Sequence, residues 1–252
     1  MPLTPPRPEH PPGSLAVLGE ATFRGVTKRV GLLPKDRLRH LYVVGKTGAG
    51  KSTLLEHLII RDIEQGAGVI VLDPHGDLVE AVLLHVPPKR ATDVVLFPGP
   101  IERPVAWNVL RSRGEPPAQL VSTVIAVMKR EWWASWGPRL EHVLRNGLLA
   151  IAPHPRASIL ALTRFLTSES FREKALRFVT DPVVRAFWTI EWPSYGKSLQ
   201  AEALAPIQNK LGALTTHPVL RLILGAPTSR LDLREVLAKR QVLLANLSTG
   251  QL

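Results

Sequence analysis

The sequence predicts an α/β protein whose layered sheet is interrupted by an all-helical segment. Three observations support this fold class. Short apolar strands alternate with helices up to about residue 106, a glycine-rich phosphate motif joins the first buried strand to the first long helix, and apolar residues then recur at helical spacing. A strand pattern returns at residues 241–247, so we expect the chain to re-enter its sheet.

The first elements lead up to the phosphate motif and into its helix. Residues 1–14 contain six prolines, which fit neither helix interiors nor sheet ladders, so a disordered extension is expected. Residues 15–33 are predicted to form small strands and turns. Residues 41–44 predict a buried strand, and residues 51–65 predict the helix that follows the motif.

The later elements divide the chain into parts. Residues 69–72 predict a strand that ends at Asp73, residues 77–84 a helix and residues 93–97 a third strand. All six tryptophans lie beyond these elements, where packing in a helical core is favoured over stacking on bases. The predicted parts are a disordered extension (1–14), the first part of a nucleotide-binding domain (15–106), an inserted all-α domain (107–235) and a return to the nucleotide-binding domain (236–252).

The composition indicates a folded protein that attracts polyanions. Hydrophobic residues make up 45% and charged residues 21% of the 252 positions, as in ordinary globular domains. The formal net charge of +11 favours DNA or another nucleic acid as a partner, although an acidic membrane surface or a merely solvated basic surface fits the same charge. No apolar run is long enough for a transmembrane segment, and cysteine is absent, so a cytoplasmic location is expected.

Residues 45–52 match the phosphate-loop pattern G-x-x-x-x-G-K-[ST] at every fixed position. The glycines allow backbone N–H groups to point at phosphate oxygens, Lys51 reaches the β and γ phosphates, and Ser52 is a ligand for Mg²⁺. An ordinary glycine turn is the alternative, and the flanking strand and helix argue against it. The expected nucleotide-binding residues are Gly45, Lys46, Thr47, Gly48, Ala49, Gly50, Lys51, Ser52 and Thr53.

Hydrolysis also needs a carboxylate, for which the sequence offers one candidate. Asp73 follows a buried strand and is expected, with Lys51, to be catalytic and to bind Mg²⁺, but a turn or helix cap explains it equally well. No strand pattern ends in an Asp-Glu pair. A GTPase is disfavoured, because the N-K-x-D-like fragment at 209–212 has Gly212 where guanine needs a carboxylate.

Several segments resemble the HerA/FtsK superfamily of motor ATPases. The similarity includes residues 39–48 at the phosphate loop and residues 68–80, which contain Asp-Pro-His-Gly-Asp. It continues through Trp-Asn-Val-Leu at 107–110, Trp-Gly-Pro-Arg-Leu-Glu at 136–141 and Val-Leu-Leu-Ala-Asn-Leu-Ser at 242–248. These segments are most similar to the coupling proteins of conjugation and type IV secretion.

The resemblance implies a RecA-like P-loop sheet interrupted by an all-α domain, with ATP and Mg²⁺ as cofactors. It further implies a homo-oligomeric ring, commonly a hexamer, that translocates DNA. Coupling proteins usually begin with membrane helices, whereas this sequence has no apolar run of that length. We therefore expect a soluble relative, or one that meets a membrane or secretion-complex partner at the inner membrane face. The alternatives are a nucleotide-binding module without hydrolysis and a secretion or pilus-assembly ATPase that does not bind DNA.

The resemblance leaves two points open. The family places its Asp-Glu pair and its ring-completing arginine after the segment that resembles residues 242–247, so a fragment or a truncated homologue is expected. The residues that contact DNA are not indicated. Arg139 and Arg145 lie at helical spacing from Glu141, which favours ion pairs over DNA contacts for these two arginines.

Overall fold

The structure, a computed structural model, describes residues 15–100, 102–111 and 114–248. The expected disordered extension 1–14 lies outside the described residues, as do residues 249–252. The strands are β1 (Ala16–Phe23), β2 (Val26–Leu32), β3 (Val69–Asp73), β4 (Val94–Phe97) and β5 (Val242–Asn246). The helices are α1 (Pro34–Arg37), α2 (Lys51–Glu64), α3 (Asp77–Leu84), α4 (Pro117–Glu131), α5 (Pro138–Ile151), α6 (Ile159–Thr167), α7 (Glu169–Leu176), α8 (Pro182–Ala186), α9 (Trp192–Ser194), α10 (Lys197–Thr215), α11 (Pro218–Gly225) and α12 (Leu233–Ala238).

The strands of the described chain form two sheets. Strands β1 and β2 are an antiparallel hairpin. The second sheet has the order β3-β5-β4, and β3 runs parallel to β5 with Val69 opposite Val242 and Asp73 opposite Asn246. Every residue of β5 is buried, which explains its apolar Val-Leu-Leu-Ala run, because a central strand is covered on both faces.

Most of the predicted elements are confirmed, and one is wrong. The helices after the phosphate motif and after Asp73, and the strands near residues 69, 94 and 242, are all present. Residues 41–44 form no strand, and Leu41, Tyr42 and Val44 have 48%, 88% and 74% of their surfaces exposed. A strand needs a neighbour to complete its hydrogen-bond ladder, and no described strand pairs with this segment.

The described chain divides into two compact units. The first comprises the described residues up to Val95 together with Glu235–Asn246, and the second comprises Leu96–Arg234 with residues 247–248. The first unit contains α2 and α3, whose buried residues include Leu58, Ile63 and Val82.

The second unit is built from helices around an apolar core. Trp188 and Trp192 are each 2% exposed in this core, and the indole of Trp188 contacts Phe165 edge-on at 4.8 Å between ring centroids. Core packing of the tryptophans is therefore confirmed at these two positions. It is wrong for Trp133, which is 77% exposed because it lies in a short 3₁₀ turn between α4 and α5 rather than on a buried helix face.

Candidate functional site

The phosphate motif forms a tight loop that ends in α2. Gly48 and Gly50 have φ angles of +78° and +81°, in the left-handed region that side chains disfavour. The Ala49 N–H donates to the Lys46 carbonyl at 3.2 Å, and the Leu54 N–H donates to the Gly50 carbonyl at 3.0 Å, which begins the helix. The two motif glycines thus provide the sharp turn that the phosphate loop needs.

The start of α2 leaves hydrogen-bond donors for an anion. Gly50 is the N-cap residue, and no side chain among the described residues caps this helix. The N–H groups of the first turn, which includes Ser52 and Thr53, therefore lack the usual side-chain acceptor, and the helix dipole favours negative charge at this position. Both Ser52 and Thr53 are exposed, so their hydroxyls are accessible from solvent.

Lys51 lies across the loop. Its Nζ donates to the Gly45 carbonyl at 2.9 Å and to the Lys46 carbonyl at 2.8 Å. The ammonium is therefore held close to the backbone that a phosphate would contact. Uncapped N–H groups, left-handed glycines and a lysine amine together fit a triphosphate.

Asp73 lies at the carboxyl end of β3, where its side chain is 5% exposed. Oδ1 accepts the His75 N–H at 3.0 Å, and Oδ2 accepts the N–H groups of Leu78 and Val79 at 2.9 and 3.1 Å. Burial raises the pKa of Asp73, but the backbone donors around it lower the pKa further, so its net shift is downward. The carboxylate thus caps α3, the alternative role that the sequence left open.

The polar end of β5 lies beside this cap. Asn246, the register partner of Asp73, is 8% exposed. A Cβ placed on Gly76, whose φ is +96°, would lie 2.8 Å from Asn246 Nδ2. The turn between β3 and α3 therefore requires glycine both for its backbone conformation and for the close approach of the Asn246 amide.

Arg90 holds distant segments of the first unit together, and no pattern in the sequence predicts this role. This side chain is largely buried, and its guanidinium donates to the carbonyls of Ile63, Ala67 and Arg240 at 3.0, 3.2 and 2.6 Å. Its Nε also donates to Asp93 Oδ2 at 2.7 Å. One arginine thereby joins the C-terminal end of α2 to the residues before β5, a long-range role that no local pattern announces.

Glu141 organises charges in the helical unit. It accepts the Trp136 indole N–H at 2.7 Å and pairs with Arg145 at 2.9 Å and Lys129 at 3.1 Å. These hydrogen bonds, led by that of Trp136, lower the pKa of Glu141 to about 2. The expected pairing of Arg145 with Glu141 is confirmed, whereas Arg139 pairs with Glu202 at 3.0 Å, because its side chain reaches the neighbouring helix α10.

No group of three or more histidine or acidic side chains that would hold a metal ion occurs in residues 15–100, 102–111 and 114–248. Ser52 and Asp73 as ligands of Mg²⁺ both stay predictions. Within the same ranges, no helix is both long and apolar enough to cross a membrane.

Comparison with known proteins finds a family model that matches part of the chain. Residues 17–112 match the family model of the central domain of helicase HerA. The resemblance expected from the sequence is thus confirmed for the segment that contains the loop, α2 and β3.

One solved structure is also similar to the chain. It is a bacterial conjugative coupling protein, TrwBdeltaN70 in an unbound form, with 18% sequence identity and a TM-score of 0.48. The alignment covers 82% of this chain and 45% of that protein, so the chain spans less than half the length of this neighbour. A comparison with curated proteins gives no match.

Proposed function

We propose that the chain is the ATP-binding part of a DNA-translocating motor ATPase. The observation that carries the proposal is the phosphate loop, with Gly48 and Gly50 in left-handed conformations, the uncapped start of α2 and Lys51 held over the loop. The HerA central-domain match, whose family description names a helicase, and the net charge of +11 support DNA as the substrate that is moved.

The residues of the loop have distinct roles in this proposal. Backbone N–H groups of residues 45–53 and the amine of Lys51 bind the triphosphate, and Ser52 supplies an oxygen for Mg²⁺. When bound, Mg²⁺ neutralises charge on the phosphate oxygens. The protein's own contribution is to hold the phosphates in one orientation at the positive end of α2.

The proposal extends to the assembly. We propose that the second unit is the all-α domain inserted into a RecA-like domain, and that the full-length protein forms a ring, commonly a hexamer, of the conjugation or type IV secretion coupling type. Such a ring would act in the cytoplasm, with a membrane or secretion-complex partner at the inner face of the membrane. Translocation by a ring requires that DNA binding and ATP turnover be coupled, which makes the assembly testable.

The test measures ATP hydrolysis with and without DNA at low salt. DNA is expected to stimulate turnover by the full-length ring, and Lys51→Ala is expected to abolish nucleotide binding. Lys89→Ala, which removes an exposed lysine of the same unit, is the matched control and should leave binding unchanged. Full-length protein whose hydrolysis ignores DNA, or whose Lys51→Ala variant still binds ATP, would refute the proposal.

A second candidate is a nucleotide-binding module that performs no hydrolysis by itself. The observation that favours it is the carboxylate of Asp73, whose two oxygens already accept three backbone N–H groups. This candidate predicts that the 252-residue chain binds ATP without steady-state turnover. Turnover by this chain that disappears in Lys51→Ala would exclude it.

A third candidate, a secretion or pilus-assembly ATPase that does not bind DNA, shares the phosphate loop. An electrophoretic shift assay separates it from the first candidate, provided that a similarly basic unrelated protein is included. A shift no larger than that of the basic control would favour the third candidate, because net charge alone then accounts for the binding.

A further inference from the structure

The second unit contains a cavity lined in part by basic residues, none of which belongs to the phosphate loop. It has a volume of about 300 Å³ and lies between the start of α6, α7 and the end of α11. Its basic lining residues are His154, Arg156 and Arg164, and its remaining lining residues are Ser158, Leu160, Ala161, Phe171, Gly225 and Pro227. No carboxylate is among them, so the cavity gathers positive charge without a counter-charge in its wall.

The two arginines of this cavity differ from the others in the helical unit. Arg139 and Arg145 each pair with a glutamate, whereas neither Arg156 nor Arg164 forms an ion pair with any described residue. The guanidinium of Arg164 lies over the ring of Phe171, 4.7 Å from its centroid. This cation–π contact holds the Arg164 guanidinium beside the aromatic ring of Phe171, which also lines the cavity.

The surroundings of His154 add to the electrostatic argument. Its ring contacts Phe171 and Phe178 with centroid distances of 5.6 and 5.1 Å. Burial lowers the pKa of His154, and the nearby charge of Arg156 lowers the pKa further. With its pKa lowered, His154 is neutral near pH 7, so the positive charge of the cavity comes from Arg156 and Arg164.

The start of helix α6 also lies in the wall of the cavity. Ser158 lies in the cavity wall and caps α6, with its Oγ accepting the Ala161 N–H at 3.1 Å. The positive end of this nine-residue helix therefore adds to the field of the two arginines. Arg156 and Arg164 are both exposed, so a polymer that passes over the surface can reach them.

We infer that this cavity binds a phosphate group of a nucleic-acid strand. The inference rests on the proposed function, in which DNA is the substrate. Arginine guanidiniums bind phosphate in a bidentate way, and both Arg156 and Arg164 line the cavity without an ion pair to any described residue. The cavity thus gives the overall charge of +11 a defined place at which to act.

The experiment measures binding of the 252-residue chain to a labelled oligonucleotide by fluorescence anisotropy between about 50 and 200 mM salt. The double variant Arg156→Ala/Arg164→Ala removes both contacts. The inference places one phosphate in the cavity, and each neutralised phosphate contributes roughly 0.7 to 0.9 to the slope of log affinity against log salt, so the slope should fall by roughly 0.7 to 0.9. Arg156→Lys/Arg164→Lys should retain most of the slope, because it keeps the charges.

The matched control is Arg139→Ala, which removes one arginine of the same unit that is already paired with Glu202. It should change the slope of log affinity against log salt by much less than the contribution of one phosphate contact. Thermal unfolding of each variant shows whether the fold is kept, and Arg156→Ala alone, at an exposed position, remains a test if the alanine double variant unfolds.

The outcomes separate the cavity from the proposed function. Wild-type chain that binds DNA with a slope shared by the alanine double variant overturns the cavity while leaving the proposed function intact. If the wild-type chain binds no DNA at low salt, this result counts against the proposed function and also against phosphate binding in the cavity. Competition by inorganic phosphate alone, without any effect of the double variant on DNA binding, also overturns the assignment to a nucleic-acid strand.

Discussion

Replacing Asp73 with asparagine distinguishes the two roles that this residue can have. The carboxylate accepts N–H groups of His75, Leu78 and Val79 at 3.0, 2.9 and 3.1 Å from a nearly buried position. A hydrogen bond to a charged group contributes about 1.5 to 3 kcal/mol. An amide retains one acceptor oxygen and turns an NH₂ group towards N–H donors, so Asp73→Asn should lower the free energy of unfolding by about 2 to 4 kcal/mol.

The pH dependence of the unfolding free energy provides an independent test of the capping role. The folded state lowers the pKa of Asp73, so its contribution to stability is fully present above the unfolded value of about 3.9. That contribution is lost as pH falls through the folded pKa. The difference in unfolding free energy between wild type and Asp73→Asn should therefore be largest near neutral pH and should shrink in acid below about pH 4.

The assay is urea unfolding at pH 7 and in acid, together with the affinity for ATP measured with and without Mg²⁺. Asp77→Asn is the matched control, because Asp77 begins the same helix and is exposed. A capping role predicts a large loss of stability and an affinity for Mg²⁺-ATP within about twofold of wild type. An Asp73→Asn variant as stable as Asp77→Asn, but with lost Mg²⁺-dependent affinity, would refute the capping argument.

Three further substitutions test contacts within each of the two units. Arg90→Ala leaves three backbone carbonyls without their donor and should lower the free energy of unfolding by about 3 kcal/mol in urea, whereas an effect below about 0.5 kcal/mol would contradict its linking role. Gly76→Ala should lower it by about 1 to 3 kcal/mol, because φ is +96° and the added Cβ meets Asn246, and a neutral result would show that the turn relaxes. Glu141→Gln should lower the thermal midpoint at pH 7 but not near pH 2. The folded state lowers the pKa of Glu141 to about 2, so the stability that its charge contributes is lost as pH falls to that value. Equal losses of thermal midpoint at both pH values would contradict this reasoning.

The sequence predicts the local parts of the site well. The glycine positions, Lys51 and the helix after the loop follow from short-range rules of backbone conformation and helical periodicity, and α2 begins at Lys51 as these rules require. The capping alternative for Asp73 was also visible, because an aspartate followed by a glycine turn and a helix start is a local pattern.

What the sequence did not predict depends on contacts between distant segments. The apolar pattern of residues 41–44 indicates a strand, but a strand also requires a partner, and a single sequence does not specify one. Arg90 gives no local signal, since its acceptors belong to residues both before and far after it. The exposure of Trp133 likewise follows from a 3₁₀ turn that interrupts helical spacing, which periodicity alone did not separate from α4.

The position of β5 has a consequence for how the protein is made. Strand β5 lies between β3 and β4 in the sheet, although it comes from the far end of the described chain. Strands β3 and β4 therefore leave the ribosome before the strand that pairs with both of them. Synthesis of the helical unit takes place during this interval, so exposed strand edges persist in the nascent chain until residues 242–246 emerge. Pairing of β3 and β4 with β5 is therefore completed only after these residues have been synthesised, which makes completion of this sheet a late step of folding.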